Sequence, residues 1–309
     1  MQFQCKRKHE SGFCGVIDRR GMTLVESICA VGIIVMLLSL LAPAIMSSRE
    51  SARRAQCSNN LRQIGIGITN FHTTWGHLPL NNSTFVQLRA ELELGELNLS
   101  GKGPLLSNTS ILRCPSDRYV FTQSEASYFL NHGSSIFPRN GAVDNNRSIN
   151  LSGEVRYISF REFTDGLSNT ALFSEHKQMD SLYTSPKADD RASWASPKSF
   201  HPGEEQLLMT FLDGALQNKQ LVKIENYTML SRTSVDNNFY YDHLWSPNKP
   251  VVVDVLKANY PFVISPSSLH GNGINLLLGD GRVEFFSDSV SRPPWQAIGS
   301  RNGGEVAAE

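Results

Sequence analysis

The sequence predicts an α+β fold: a long N-terminal helix, membrane-spanning in its first half, packs its second half on an antiparallel sheet with long loops and a C-terminal β-hairpin. Three observations carry this. An uncharged run separates Glu26 from Arg49, an apolar stripe of helical period follows it, and two β-rich runs flank Gly279-Asp280-Gly281.

The 22 positions between Glu26 and Arg49 would span roughly 33 Å at about 1.5 Å per helical residue, the thickness of a bilayer core. Pro43 lies inside the run, where its missing donor and its ring predict a bend. Arg19, Arg20 and Gly21 precede it, and Glu26 sits at its mouth. A carboxylate there is costly in lipid and asks for a partner of opposite charge. Cleavage after Gly21 would supply one, the free amine of Met22. A secretory signal cut at Ala42-Pro43-Ala44, leaving Ile45 first, and an uncleaved anchor are the ordinary alternatives. Neither accounts for Glu26, and the run exceeds the usual signal core of about 7–15 residues.

Beyond the run, Cys57, Leu61, Ile64, Ile68, Phe71 and Trp75 recur at intervals of four, three, four, three and four. That is one apolar stripe of an amphipathic helix. Arg53, Asn59, Asn60, Arg62 and Asn70 fall on the opposite face. Gly65 and Gly67 are poor helix formers, read here as points of close approach to a sheet. His72 and His77, near the helix end, read as cap or turn residues.

The chain therefore divides into a basic leader (1–21), a transmembrane helix (22–48), its amphipathic continuation (49–75) and an α+β head (76–309). The leader holds five basic and two acidic residues, leaving 24 basic and 27 acidic residues in the remainder. A basic leader stays in the cytoplasm and sends the rest outward. No basic stripe with interleaved aromatics occurs, so nucleic acid is not expected as a partner.

Cys5 and Cys14 lie in the leader and Cys29 in the span, so only Cys57 and Cys114 would meet an oxidising compartment. They are candidates for a disulfide, with two buried thiols as the alternative. No C-x-x-C or H-E-x-x-H pattern occurs, and neither metal nor cofactor is expected.

Residues 100–153 are rich in turn formers. Val155 to Phe163 alternates as a strand would, Asp165-Gly166 marks a turn, and Ala171 to Phe173 opens the next strand. Glu175, His176, His201, Glu204 and Glu205 are acid/base or metal-ligating types. Their spacing supports neither role, so they read as solvated surface and loop residues making hydrogen bonds, and no enzymatic activity is expected.

Ile274–Leu278 and Arg282–Phe286 predict a β-hairpin within 270–286; Val283 and Phe285 alternate with Arg282, Glu284 and Phe286, so one face should be buried. His270 and Asp280 could lie up to about 30 Å apart along an extended strand, so they are not expected to act as a pair. His270 reads as a loop anchor, and Asp280 with Gly281 as the turn. SFHPGEEQLLMTFLDGALQ echoes this hairpin, matching His201 with His270 and Asp213-Gly214 with Asp280-Gly281. The match is read as chance.

The segment RRGMTLVESICAVGIIVMLLSLLAP resembles type IV prepilins. The resemblance implies cleavage between Gly21 and Met22, methylation of the Met22 amine by a prepilin peptidase/methyltransferase, and an assembly role for Glu26 and Pro43. Met22 stands where that family usually has Phe. SARRAQCSNNLRQIGIGITNFHTTWGHLP, ILRCPSDRYV, SYFLNHG, ISFREFTDGLSNTALFSEH and SSLHGNGINLLLGDGRVEFF together resemble a large family of bacterial prepilin-like proteins with a C-terminal His-x9-Asp-Gly motif. Here that motif is His270, Asp280 and Gly281. Residues 80–110 depart from the family's pattern.

The implied protein is a pilin-like or type II secretion pseudopilin-like subunit, single-pass in the bacterial inner membrane with a periplasmic or filament-exposed head. Its implied partners are the peptidase, the membrane and other pilin-like subunits. A calcium ion at Asp280, as in some pseudopilins, is the alternative for that residue. A periplasmic binding or enzymatic head, acting on carbohydrate and borrowing the anchor, is the alternative for the whole.

Overall fold

The computed structural model describes residues 23–80, 84–96, 110–117, 126–135, 140–142, 157–177, 193–196, 207, 210–211, 213–214, 222–223, 240–249, 251–254 and 260–304. Gly21, Met22, His201, Glu204 and Glu205 lie outside them. The chain divides into two compact units, residues 1–49 and 50–309.

Helix α1 runs from Leu24 to Trp75, and Pro43 lies inside it without ending it. Its start is a capping box. The Thr23 hydroxyl accepts from the Glu26 amide at 3.3 Å, while the Glu26 carboxylate accepts from the Thr23 amide at 2.8 Å. Each side chain thereby satisfies a backbone donor that the helix leaves without a partner. At the other end Gly76 has φ +76° and donates to the His72 carbonyl. A left-handed glycine after the last turn is a common stop.

In the second unit, Cys57, Leu61, Ile64, Ile68 and Phe71 of α1 are buried. Two positions differ from the sequence reading. Trp75 is 62% exposed, because the stripe runs past the end of the surface it covers. Asn60, expected on the polar face, is buried and donates to the Arg113 carbonyl at 3.0 Å and the Tyr128 hydroxyl at 3.1 Å. An amide can be buried where its donors are matched.

This half of α1 packs against an open five-stranded sheet containing β1 (Tyr128–Asn131), β2 (Ala171–Glu175), β5 (Tyr240–Tyr241), β8 (Gly273–Leu278) and β9 (Val283–Ser287), in the order β5-β1-β2-β8-β9. The pairings of β1 with β2, β2 with β8 and β8 with β9 are antiparallel, as the sequence predicts, and β5 joins β1 in parallel, so the sheet is mixed. The connection from β1 to β5 passes through β2 and much else, so it can return the chain in the same direction. A separate sheet of β3 (Ser193–Ser196), β4 (Val222–Lys223), β6 (Val251–Asp254) and β7 (Tyr260–Val263) has the order β4-β3-β6-β7.

Gly65 explains the close approach. A Cβ there would lie 2.9 Å from Cδ1 of Leu277 on β8. The predicted strand at 155–163 is instead a 3-10 turn over Phe160–Glu162 in its described part. His72 takes part in that turn through the Ser159 hydroxyl at 3.0 Å and accepts from the Phe160 amide at 3.3 Å. Local hydrogen bonds thus override the alternation.

Strands β8 and β9 form the C-terminal hairpin, pairing Gly273 with Ser287 through Leu277 with Val283. Val283 and Phe286 both pack on the core, while Phe285 is exposed with the Arg54 guanidinium 3.5 Å from its ring centroid. Two short helices flank the sheet in sequence, α2 (Thr84–Gln87) after α1 and α3 (Arg292–Gly299) after β9. Trp295 of α3 is fully buried and donates to the Trp245 carbonyl at 2.8 Å.

A buried histidine between two carboxylates

His270 is the node of a polar network drawn from four separate parts of the chain. Its own segment, the loop before β8, is fixed by the His270 amide donating to the Ser268 hydroxyl at 3.0 Å. From α1 comes Glu50, whose Oε1 lies 2.7 Å from His270 Nδ1. The other Glu50 oxygen accepts from Arg53 at 2.6 and 2.9 Å. From the turn after Leu112 come Ser116, donating to Glu50 at 3.2 Å, and Cys114, whose Sγ lies 3.5 Å from His270 Nε2. From β2 comes Glu175, its Oε1 3.4 Å from His270 Nε2.

Glu175 and His176 are buried rather than on solvated surface as the sequence suggests, because β2 lies inside the sheet. Glu175 is only 2% exposed, and a carboxylate buried so deeply needs donors. Asn275 on the neighbouring strand supplies two, its amide at 2.9 Å and its side chain at 2.8 Å. The electrostatics follow from this placement. Burial alone would lower the His270 pKa, but Glu175 and Glu50 outweigh it and the imidazolium is favoured. Burial would raise the Glu50 pKa, yet His270 and Arg53 hold it below its ordinary value. The neighbouring His176 behaves oppositely. Buried and stacked on Phe129 at 4.1 Å, it has its pKa pushed down to about 3 by desolvation.

Cys57 of α1 and Cys114 form a disulfide, with Cα atoms 5.2 Å apart, beside this network. Closing a loop across 57 positions contributes about 4 kcal/mol on the chain-entropy model. The Cys57 and Cys114 sulfurs, a Glu175 oxygen and a His270 nitrogen all lie within 4.8 Å of one another. A small cleft of about 10 Å³, room for about one water, lies alongside, lined by Cys114, Asp117, Glu175, His176 and Ser267 among others.

Asp280 is separate from all of this. Its carboxylate accepts from the Arg282 amide at 3.0 Å and pairs with the Arg282 guanidinium at 3.7 Å, holding the turn in which Gly281 has φ +87°. Asp213 and Gly214, matched to it by the upstream echo, are helical, so the echo does not repeat the hairpin turn. The motif's two ends thus serve different parts of the head.

Sequence reasoning missed Glu50, Ser116 and Asn275. One signal was available for Glu50, which precedes Cys57 by seven positions and so continues the buried stripe by two turns. Nothing local marks Ser116 or Asn275, which matter only once strand pairing sets them beside His270 and Glu175.

A family model described as "Protein of unknown function (DUF1559)" matches residues 46–87 and 87–292. No curated protein and no solved structure matches the chain.

Proposed function

The chain belongs to the DUF1559 family of proteins of unknown function, and from that premise we propose that it is a prepilin-like subunit whose work is assembly. In this reading a prepilin peptidase/methyltransferase cuts between Gly21 and Met22 and methylates the new amine. The first half of α1 then holds the protein in the bacterial inner membrane and packs against other pilin-like subunits of a pilus-like or type II secretion-like structure. The head faces the periplasm or the filament exterior and acts as an interaction module.

One observation carries the proposal. Every large apolar side chain from Leu24 to Met46 is exposed, from 49% at Ile45 to 78% at Leu24. The helix is long and apolar enough to cross a membrane. A stretch that is apolar on all sides and has no partner among the described residues calls for lipid or other helices as its solvent.

Glu26 supplies the test, because its capping contact to Thr23 and its assembly charge can be separated. Glutamine retains the capping geometry and loses the charge. Glu26→Gln and Glu26→Ala should both be cleaved normally and both fail to assemble, measured by processing and by filament or complex recovery from native membranes. Wild-type assembly by Glu26→Gln would contradict the charge role. A binding or enzymatic head ranks second, since the cleft beside Glu175 holds about 10 Å³, far below the roughly 300–1,000 Å³ of small-molecule sites.

A further inference from the structure

We propose that the dithiol form of this chain binds zinc through Cys57, Cys114, Glu175 and His270, so that one site holds either a disulfide or a metal ion. Two sulfurs, an imidazole nitrogen and a carboxylate oxygen are the donor types zinc takes in tetrahedral sites. All four residues are buried, and their ligand atoms fall within 4.8 Å of one another. They come from α1, the turn after Leu112, β2 and the loop before β8, so an ion there would tie together the elements the disulfide ties.

Two of the donor distances already suit an ion. With metal bonds of about 2.3 Å to sulfur and about 2.0–2.1 Å to nitrogen and oxygen, tetrahedral edges are about 3.5 Å for nitrogen to sulfur and about 3.4 Å for nitrogen to oxygen. His270 Nε2 lies 3.5 Å from Cys114 Sγ and 3.4 Å from Glu175 Oε1. The two sulfurs must part, to roughly 3.8 Å, once their bond is broken.

The outer shell points the same way. A metal-bound histidine almost always donates its other ring nitrogen to a carboxylate or carbonyl, which fixes its tautomer. Here Nδ1 of His270 faces Glu50 at 2.7 Å, leaving Nε2 toward the other three donors. Asn275 orients Glu175 through two hydrogen bonds. The small cleft beside the donors is lined by Cys114 and Glu175.

The chemistry balances in two steps. A dithiol reductant transfers two electrons and two protons to the Cys57–Cys114 bond, giving two thiols and leaving the reductant as its own disulfide. Zinc then displaces both thiol protons and binds the two thiolates. A newly translocated chain not yet oxidised enters at the second step.

Cobalt(II) is the probe, added anaerobically to full-length chain in detergent micelles after phosphine reduction, with Cys5, Cys14 and Cys29 replaced by serine. One equivalent should produce a thiolate-to-cobalt charge-transfer band and strong visible absorption of a tetrahedral ion, both abolished by zinc and both absent from the oxidised chain. Cys114→Ser and His270→Ala should lose that spectrum. Glu50→Gln, which alters only the outer shell, should retain it with about 10–100-fold weaker affinity. Absence of the bands in the reduced chain would overturn the proposal, as would an unchanged spectrum in both His270→Ala and Glu175→Gln. A reduced chain that loses its near-ultraviolet circular dichroism and does not regain it with the metal would also overturn it.

Discussion

Helix α1 contains two stretches of equal length, Leu24–Arg49 and Glu50–Trp75, that share backbone geometry and little else. The first is apolar on every side, and its large side chains are exposed throughout. The second buries a single stripe and places polar anchors beside it: Glu50 to His270, Asn60 to Arg113 and Tyr128, His72 to Ser159. An amphipathic stretch is completed by its own chain, whereas one apolar all round is left for lipid or another subunit to complete. The same helical geometry therefore serves folding in one half and, in our reading, assembly in the other.

The largest expected effect confines acid sensitivity to the second unit. His176 and His243 are buried, and desolvation pushes both pKa values down to about 3. The unfolded chain takes up these protons below about pH 6.5 and the folded chain only near pH 3, so stability is lost as pH falls through that window. Between pH 7 and pH 4 the two account for a loss of order 6 kcal/mol at about 1.4 kcal/mol per unit. Glu50, with its lowered pKa, adds to the acid loss as pH falls. His270 opposes it, because a raised histidine pKa stabilises below its unfolded value and is lost as pH rises. Denaturant titrations of the full chain in micelles across this range should show the loss. Helicity from residues 24–49 should persist after the head unfolds.

Next in size is the disulfide. Cys57→Ala with Cys114→Ala should lower the head's stability by about 4 kcal/mol, read as a fall in the denaturant midpoint. His270→Ala follows at about 3 kcal/mol, since it strips a partner from the buried Glu175 and from Glu50. Retained stability in His270→Ala would show that Asn275 alone satisfies Glu175.

The smallest effect is the sharpest comparison. A Cβ at Gly65 would meet Leu277 at 2.9 Å, whereas at Gly32 nothing lies within 4 Å. Gly65→Val should cost the head about 2 kcal/mol by overpacking. Gly32→Val should change it by less than about 0.5 kcal/mol. Equal effects would erase the distinction between the halves.

Much of this was legible in the residues. The uncharged run, the Cys57 to Phe71 stripe and the hairpin turn at Asp280 are local periodic signals, and the structure has the helix and hairpin they predict. What was not legible depends on partners distant in the chain. The parallel pairing of β5 with β1 needs the path of the intervening chain. The burial of Asn60 needs Arg113 and Tyr128, and the outward turn of Phe285 reflects Arg54 above its ring. The His270 network is the clearest case, because its spacing to Asp280 drew attention along the hairpin while its contacts lie at Glu50, 220 positions away. Glu26 shows the converse. Its charge at the mouth of an apolar run suggested an intermolecular partner, and the Thr23 capping box, also a local pattern, went unread.

The central claim, that the chain is a processed and membrane-anchored prepilin-like subunit, is tested most directly by the N-terminal residue and intact mass of the protein recovered from its native membrane. The account predicts a chain that begins at Met22 and carries one added methyl group. A chain that begins at Ile45, or one that keeps its leader, would contradict it.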